Sequence, residues 1–390
     1  MFLKKQSINF PGNLDLFGRL SKHHYQKILT QAGVTLGGAN PWDIQVYDDR
    51  FWKRVGLFGT LGFGEAYIDG WWDTPRLDQL ICRLAALRVE QKVLNIPKLL
   101  CGATAKFKNL QSISRSKMVG LQHYDLDNEL YKAMLGDRMV YTCAFWGDSS
   151  DLNVAQENKL ELVCEKLGLD AGMHLLDIGC GWGSFARYAA QTRNVKVTGV
   201  TISREQGILA QDWCANLPVD IRIQDYRDIK EHEKFDRVVS LGMFEHVGRK
   251  NYKNYMRFVR QHLLPEGLAL IQTIGLSYKT NGIDPWVAKY IFPNSEIPTI
   301  SRISSAIEGV LKLEDWHNFG ADYDKTLMAW HDNFSGYWVH HSEKYDHRFY
   351  RLWNYYLLMF AGLFRARNLD LWQLVLSPNG VKGGYSRPAF

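Results

Sequence analysis

Residues His174 to Ser184, HLLDIGCGWGS, constrain this chain more tightly than any other stretch. A short apolar run, Leu175 and Leu176, ends at Asp177, and glycines follow at 179, 181 and 183. Phe185, Ala186, Tyr188, Ala189 and Ala190 then read as a helix. Strand, glycine-rich turn and helix in succession open a nucleotide-type αβ unit. Glycine is needed where a side chain would hold the backbone away from a ligand. The spacing DxGxGxG, with an acid just ahead of the first glycine, departs from the GxGxxG dinucleotide fingerprint. An ordinary glycine-rich βα turn also fits it.

Further strands are expected at 195–201, 219–223, 235–241 and 267–274, with helices between them, so this part of the chain reads as a parallel doubly wound sheet. An insertion over 276–310 precedes a strand near 311–316, an aromatic helical tail fills 324–367, and a last strand lies near Leu371 to Leu376. At 390 residues the chain exceeds the usual single core. A small N-terminal domain is placed at 1–95, with helical spacing around Tyr25 to Ala32 and over Asp78 to Arg88. A linker follows at 96–122, and the αβ domain occupies 123–390, opening with helices over Leu126 to Leu135 and Val154 to Leu167.

No apolar run approaches the roughly 20 residues of a membrane span, and the start MFLKKQSINFPGN lacks a signal-peptide core. A cytoplasmic chain is expected. The six cysteines form no CxxC pair and no Cys/His spacing, so neither a metal site nor disulfides are expected. Charge is uneven: residues 1–120 carry 17 Lys and Arg against 9 Asp and Glu, and 81–120 carry 8 against 1. Such a segment suits anionic lipid or simply water. Nucleic acid is disfavoured, because no nucleic-acid-binding motif is present.

In many nucleotide-binding αβ proteins an acid after the second strand holds the ribose. Here that position reads Thr201-Ile202-Ser203, so Gln206 in the next helix is the polar candidate, while Ser203 with Arg204-Glu205-Gln206 also reads as a helix cap. After the third strand, Asp225 has an acceptor for an exocyclic amine and Tyr226 a ring to lie against a base; a polar loop is the plainer alternative. The fourth strand runs into Met243-Phe244-Glu245-His246-Val247-Gly248, beyond a strand's carboxyl end, where ligands bind in open αβ sheets. Glu245 or His246 has the chemistry of a general base. Tyr141-Thr142-Cys143-Ala144-Phe145-Trp146 and Phe319-Gly320-Ala321-Asp322-Tyr323-Asp324 stand out in composition, but spacing does not link them to the site.

The glycine loop resembles the S-adenosylmethionine loop of class I methyltransferases. Taken with His123-Tyr124-Asp125-Leu126, Tyr141 to Trp146, VTIS at 200–203, MFEHVG at 243–248, Gln272-Thr273-Ile274-Gly275, DPW at 284–286, KYIFPN at 289–294, EDWHNFGADYD at 314–324 and FRAR at 364–367, it makes nearly the whole chain similar to cyclopropane-fatty-acyl-phospholipid synthases. GEAYIDGWW at 64–72 and NLQS at 109–112 resemble the bacterial type with an extra N-terminal domain.

The resemblance implies a class I methyltransferase (Rossmann-like) α/β fold with a small N-terminal helical domain. It implies transfer of the methyl carbon of S-adenosylmethionine to a cis double bond of a phospholipid acyl chain, through a carbocation that bound bicarbonate deprotonates. By motif the bicarbonate site falls on Cys143 (backbone), Glu245, Gln272, Ile274 (backbone) and Tyr323. Cofactor residues carried over are Tyr141, Gly179, Gly181, Gly183, Thr201, Gln206, Asp225 and Tyr226. The family suggests a homodimer, peripheral on the inner face of the cell membrane, with the N-terminal domain and basic segment docking on the bilayer. Two departures stand out. Gln272 replaces the family's histidine, so that position donates from an amide but carries no charge. Phe360 stands where many relatives have a cysteine before FRAR. A methyl-branched product and a small amine acceptor are the alternatives, since fold does not fix the acceptor.

Overall fold

The structure, a computed structural model, describes residues 16–88, 128–278 and 283–389. The linker at 96–122, the NLQS motif and the His123 to Leu126 motif lie outside these residues. The described chain forms two compact units, one of 16–88 with 283–291 and 338–368, the other of 128–278, 292–337 and 369–389. The division is therefore discontinuous, unlike the contiguous domains at 1–95 and 123–390 expected from sequence, because two late segments join the first unit.

The reason is the pairing of apolar faces. Helix His347–Arg365 buries Trp353, Tyr356, Leu357, Phe360 and Phe364, and helix Leu77–Ala86 buries Leu77, Leu80 and Ile81. They pack closely, for a Cβ at Gly362 would fall 2.6 Å from the Asp78 carbonyl oxygen. Arg351 is buried in this unit and donates to Tyr67 O, Asp73 Oδ2 and Trp72 O at 2.6, 2.9 and 3.0 Å. Those bonds make its burial tolerable. They also hold the end of helix Arg50–Ile68 beside the short ladder of β1 (Gln45–Val46) and β2 (Trp72–Asp73).

The second unit is built on a seven-stranded sheet of β3 (His174–Ile178), β4 (Lys196–Thr201), β5 (Val219–Ile223), β6 (Phe235–Leu241), β7 (Leu263–Gly275), β8 (Lys312–Asn318) and β9 (Asp370–Ser377), in the order β5-β4-β3-β6-β7-β9-β8. The first five are parallel. Strand β9 runs against both neighbours. The expected parallel sheet is present, and a reversed strand wedged between β7 and β8 extends it. Every residue of β9 is buried, as a strand paired on both edges and covered on both faces must be. The chain leaves β3 for β4 on one side and later returns to β6 on the other. That switch opens a crevice beyond the carboxyl ends of β3 and β6.

Gly275 closes β7, and a Cβ there would lie 2.2–2.4 Å from the indole of Trp372 on β9. Gly275→Ala is expected to lower stability by roughly 1–3 kcal/mol, read as an earlier urea midpoint accompanied by altered tryptophan fluorescence.

Candidate active site

The crevice is a cleft lined by Tyr141, Gly179, Gly181, Thr201, Gln206, Asp225 and Tyr226, so the structure gathers seven of the eight residues expected around the cofactor. The local reasons differ. Ser203 caps helix Arg204–Trp213 by accepting from Gln206 N at 3.3 Å. Gln206 is thereby set on the cleft wall in the first turn, so cap and lining coexist. Asp225 caps the following 3₁₀ turn through Arg227 N at 3.0 Å and also holds the Arg227 side chain, Nε at 2.8 Å and Nη2 at 2.5 Å. The Tyr226 ring stands edge-on to Tyr255 and Phe258, with centroids 5.3 and 5.0 Å away. One edge is packed while the residue still lines the cleft.

The glycines divide the work. All three hold positive φ, at 82°, 56° and 76° for Gly179, Gly181 and Gly183. At Gly181 a Cβ would meet nothing within 4 Å and would occupy the cleft itself. At Gly179 it would strike Met243 at 2.9 Å. Gly183 is not on the cleft wall; its missing Cβ admits Ala210 at 3.2 Å and Cys214 at 3.4 Å. Gly183 thus also serves close packing of helix Ser184–Arg193 against helix Arg204–Trp213.

Two charged groups on the wall escaped the site reading from sequence. Lys159 is fully buried, donates to Thr142 Oγ1 at 3.0 Å, and is pulled down to about 8 by burial. Asp177 is pushed up to about 7 by burial, with Lys159 opposing the shift, and its Oδ2 has no partner. The signal for Lys159 was its place on helix Leu152–Leu167, four residues from both Ala155 and Val163, on the core face. His246 also lines the cleft, with Nδ1 unpartnered and its pKa drawn down to about 4 by burial, so it is a neutral imidazole.

The second set surrounds a different place. Cys143, Phe319 and Leu371 form a small buried cluster against which Phe145, Ile274 and Tyr323 pack. The segments that sequence spacing could not connect are tied directly: Trp146 N donates to Asp322 Oδ2 at 2.9 Å, and Thr326 Oγ1 accepts from Ala144 N at 3.2 Å and Trp146 Nε1 at 3.0 Å. Glu245 joins through Ile274, whose N–H donates to Oε1 at 2.6 Å. Its other oxygen, Oε2, is buried without a partner. Burial pushes the Glu245 carboxyl up to about 7, against the opposing pull of the Ile274 amide, its own backbone amide and the Thr273 hydroxyl. Gln272 is wholly buried on the same face of β7 as Ile274. Its Oε1 accepts from Gln373 at 2.9 Å, and its Nε2 has no partner. Burial drives the Cys143 thiol well above its ordinary pKa, so this cysteine is a neutral neighbour. Among the described residues no group of His, Cys, Asp and Glu is disposed to hold a metal ion.

Residues 111–374 match the family model for mycolic acid cyclopropane synthetase. The chain is 47% identical over 359 residues to the cyclopropane-fatty-acyl-phospholipid synthase of Escherichia coli K12, covering 92% of this chain and 93% of that protein. It is 30% identical over 394 residues to the tuberculostearic acid methyltransferase of Mycobacterium tuberculosis H37Rv, covering 94% and 90%. Among solved structures it is similar to a mycolic acid cyclopropane synthase complexed with SAH and CTAB, at 27% identity and a TM-score of 0.60 over 66% of this chain and 96% of that one.

The unequal roles of the glycines are testable. Gly181→Ala is expected to weaken S-adenosylmethionine binding at least tenfold in calorimetry with a loss of stability near 1 kcal/mol. Gly183→Ala is expected to lower the melting temperature more and the affinity of the folded fraction less.

Proposed function

This chain belongs to the mycolic acid cyclopropane synthetase family, and from that premise we propose how its cleft and the buried groups around Cys143 and Glu245 divide the reaction of an S-adenosylmethionine-dependent methyltransferase acting on unsaturated phospholipid acyl chains. When bound, S-adenosylmethionine supplies the methyl carbon to a cis double bond, and bicarbonate supplies the base that takes up a proton so that a cyclopropane ring closes. The cleft fits the first group. Gly181 leaves room for a backbone-hugging ligand, and Asp177 Oδ2 and Lys159 offer an unpartnered acceptor and a cation to an amino-acid end.

The observation that carries the anion site is a matched pair of unused groups: Glu245 Oε2, an acceptor, and Gln272 Nε2, a donor, both buried. Bicarbonate has one hydroxyl to give and charged oxygens that accept, the complement of that pair. An ionised Glu245 would accept a hydrogen bond from the hydroxyl, while Gln272 would donate to an anionic oxygen. Ile274 acts through Glu245, since its N–H already fixes Oε1. Tyr323 and Cys143, with Phe145 and Phe319 packed around them, keep water from a developing cation, which aromatic faces also stabilise. Gln272 replaces a charge-bearing histidine by a neutral donor, so anion affinity in this chain rests on geometry and burial.

Among the described residues no helix is long and apolar enough to cross a membrane. The lipid substrate supports peripheral contact at the inner face of the cell membrane, and the family supports a homodimer. The deciding experiment incubates the protein with S-adenosylmethionine and liposomes of unsaturated phospholipid. A gain of one CH₂ with loss of alkene signal and appearance of ring protons is expected. The same gain in a branched or still unsaturated chain overturns the ring, and no gain with cofactor bound directs the search to amine acceptors.

Glu245→Gln is expected to lower turnover roughly 10²–10³-fold. Its pKa is raised in the folded state, so Glu245 contributes stability below the ordinary carboxylate range that is lost as pH rises through about 7. The glutamine variant is therefore expected to be about 1–3 kcal/mol more stable than the parent near pH 8 and to lose that advantage near pH 4 in urea titrations.

A further inference from the structure

Behind Gln272 lies a buried polar chain that the reaction chemistry does not itself require. Lys166, on the core face of helix Leu152–Leu167, donates through Nζ to Gln373 Oε1 at 2.8 Å. Gln373 Nε2 donates in turn to Gln272 Oε1 at 2.9 Å. Gln272 and Gln373 are cross-strand partners in the β7–β9 ladder, and both are wholly buried. Lys166 also meets His317 Nδ1 at 2.9 Å and has Asp315 Oδ2 at 3.8 Å.

An amide side chain has an oxygen end and an NH₂ end, and a buried one settles with whichever its partner demands. An ammonium has donors only, so Gln373 must turn its oxygen toward Lys166. Its NH₂ then faces Gln272, which must answer with its own oxygen. The donor end of Gln272 is left over, and it is this atom that has no partner. Burial lowers the Lys166 ammonium to about 7, with Asp315 opposing and Arg387 adding to the fall; below that pH the group has donors only, and the chain runs one way.

We propose that Lys166 and Gln373 are positioning residues whose one-way hydrogen-bond chain makes Gln272 a donor toward an oxyanion such as bicarbonate. The proposal rests on the anion reading given above. It explains how a neutral amide substitutes for an imidazole: a free glutamine presents either end, but this one presents only NH₂. Two substitutions reverse or release the chain. Gln373→Glu places an acceptor against Gln272, which then turns its NH₂ away from the pocket. Lys166→Met removes the donor at the head of the chain, and it serves as a second probe if the first variant folds poorly. Adding Gln272→His to Gln373→Glu restores a donor, because an imidazole held by a carboxylate on one nitrogen offers N–H from the other.

The experiment titrates isotopically labelled bicarbonate into the full-length protein by NMR, in parallel with the bicarbonate dependence of turnover in carbonate-depleted buffer. Melting temperature and S-adenosylmethionine affinity are followed as controls. Both single variants are expected to weaken bicarbonate binding roughly ten- to hundredfold with S-adenosylmethionine affinity preserved, and the double variant to recover most of that loss. Unchanged bicarbonate affinity in the single variants overturns the relay while leaving the anion site standing. So does a uniform fall in turnover at every bicarbonate concentration together with a lowered melting temperature. Absence of any bicarbonate binding or dependence in the parent protein overturns the anion reading and the relay with it.

Discussion

The hydrogen bond from the Ile274 amide to Glu245 Oε1 holds a carboxylate where water does not reach. A buried carboxyl that must ionise needs fixed donors around it. It therefore requires that the end of β7 and the loop after β6 keep their relative place. Strand β9 meets the first demand by pairing with β7 from Ala269 to Gly275. The loop is held from its far side, where Glu296 N donates to the Glu245 carbonyl at 2.8 Å. The raised pKa of Glu245 shows what the arrangement costs.

The cleft and the buried Cys143 cluster share one short piece of chain. Tyr141 lines the cleft, and Cys143, two residues on, belongs to the cluster. Bonds from Ala144 and Trp146 to Thr326 and Asp322 anchor that piece on the helix that also carries Tyr323. The two differ in chemistry. The cleft is walled by turns and helix starts whose backbone and capping groups approach a polar ligand. The Cys143 cluster is built of aromatic and aliphatic side chains and a thiol. Methyl transfer to an alkene needs both, since the cation it creates is destroyed by water.

Much of the fold was legible because its periodicities are strong. The strands at 174–178, 219–223 and 235–241 fall where the strand–helix spacing placed them, and the helix over 152–167 begins two residues ahead of its expected start. Strand β7 extends back to Leu263, and the aromatic tail proves to be two helices, Ala321–His341 and His347–Arg365. The reversal of β9 was not legible: eight apolar-rich residues read alike in either direction, and only the vacancy between β7 and β8 selects one. The packing role of Gly183 was not legible, because a glycine needed for helix packing looks the same in sequence as one needed for a ligand. Lys159 and Lys166 were overlooked because a lysine on a helix usually ends in solvent.

Local period and residue type set the αβ alternation, the glycine turn, the family resemblance and the choice of candidate site residues. The tertiary structure decided which of those groups meet. It joined residues 141–146 to 319–326, set Gln272 beside Gln373, and left one oxygen of Glu245 and one nitrogen of Gln272 unpaired. Such pairings arise between residues about a hundred or more positions apart, where burial and strand register, not local propensity, select the neighbour.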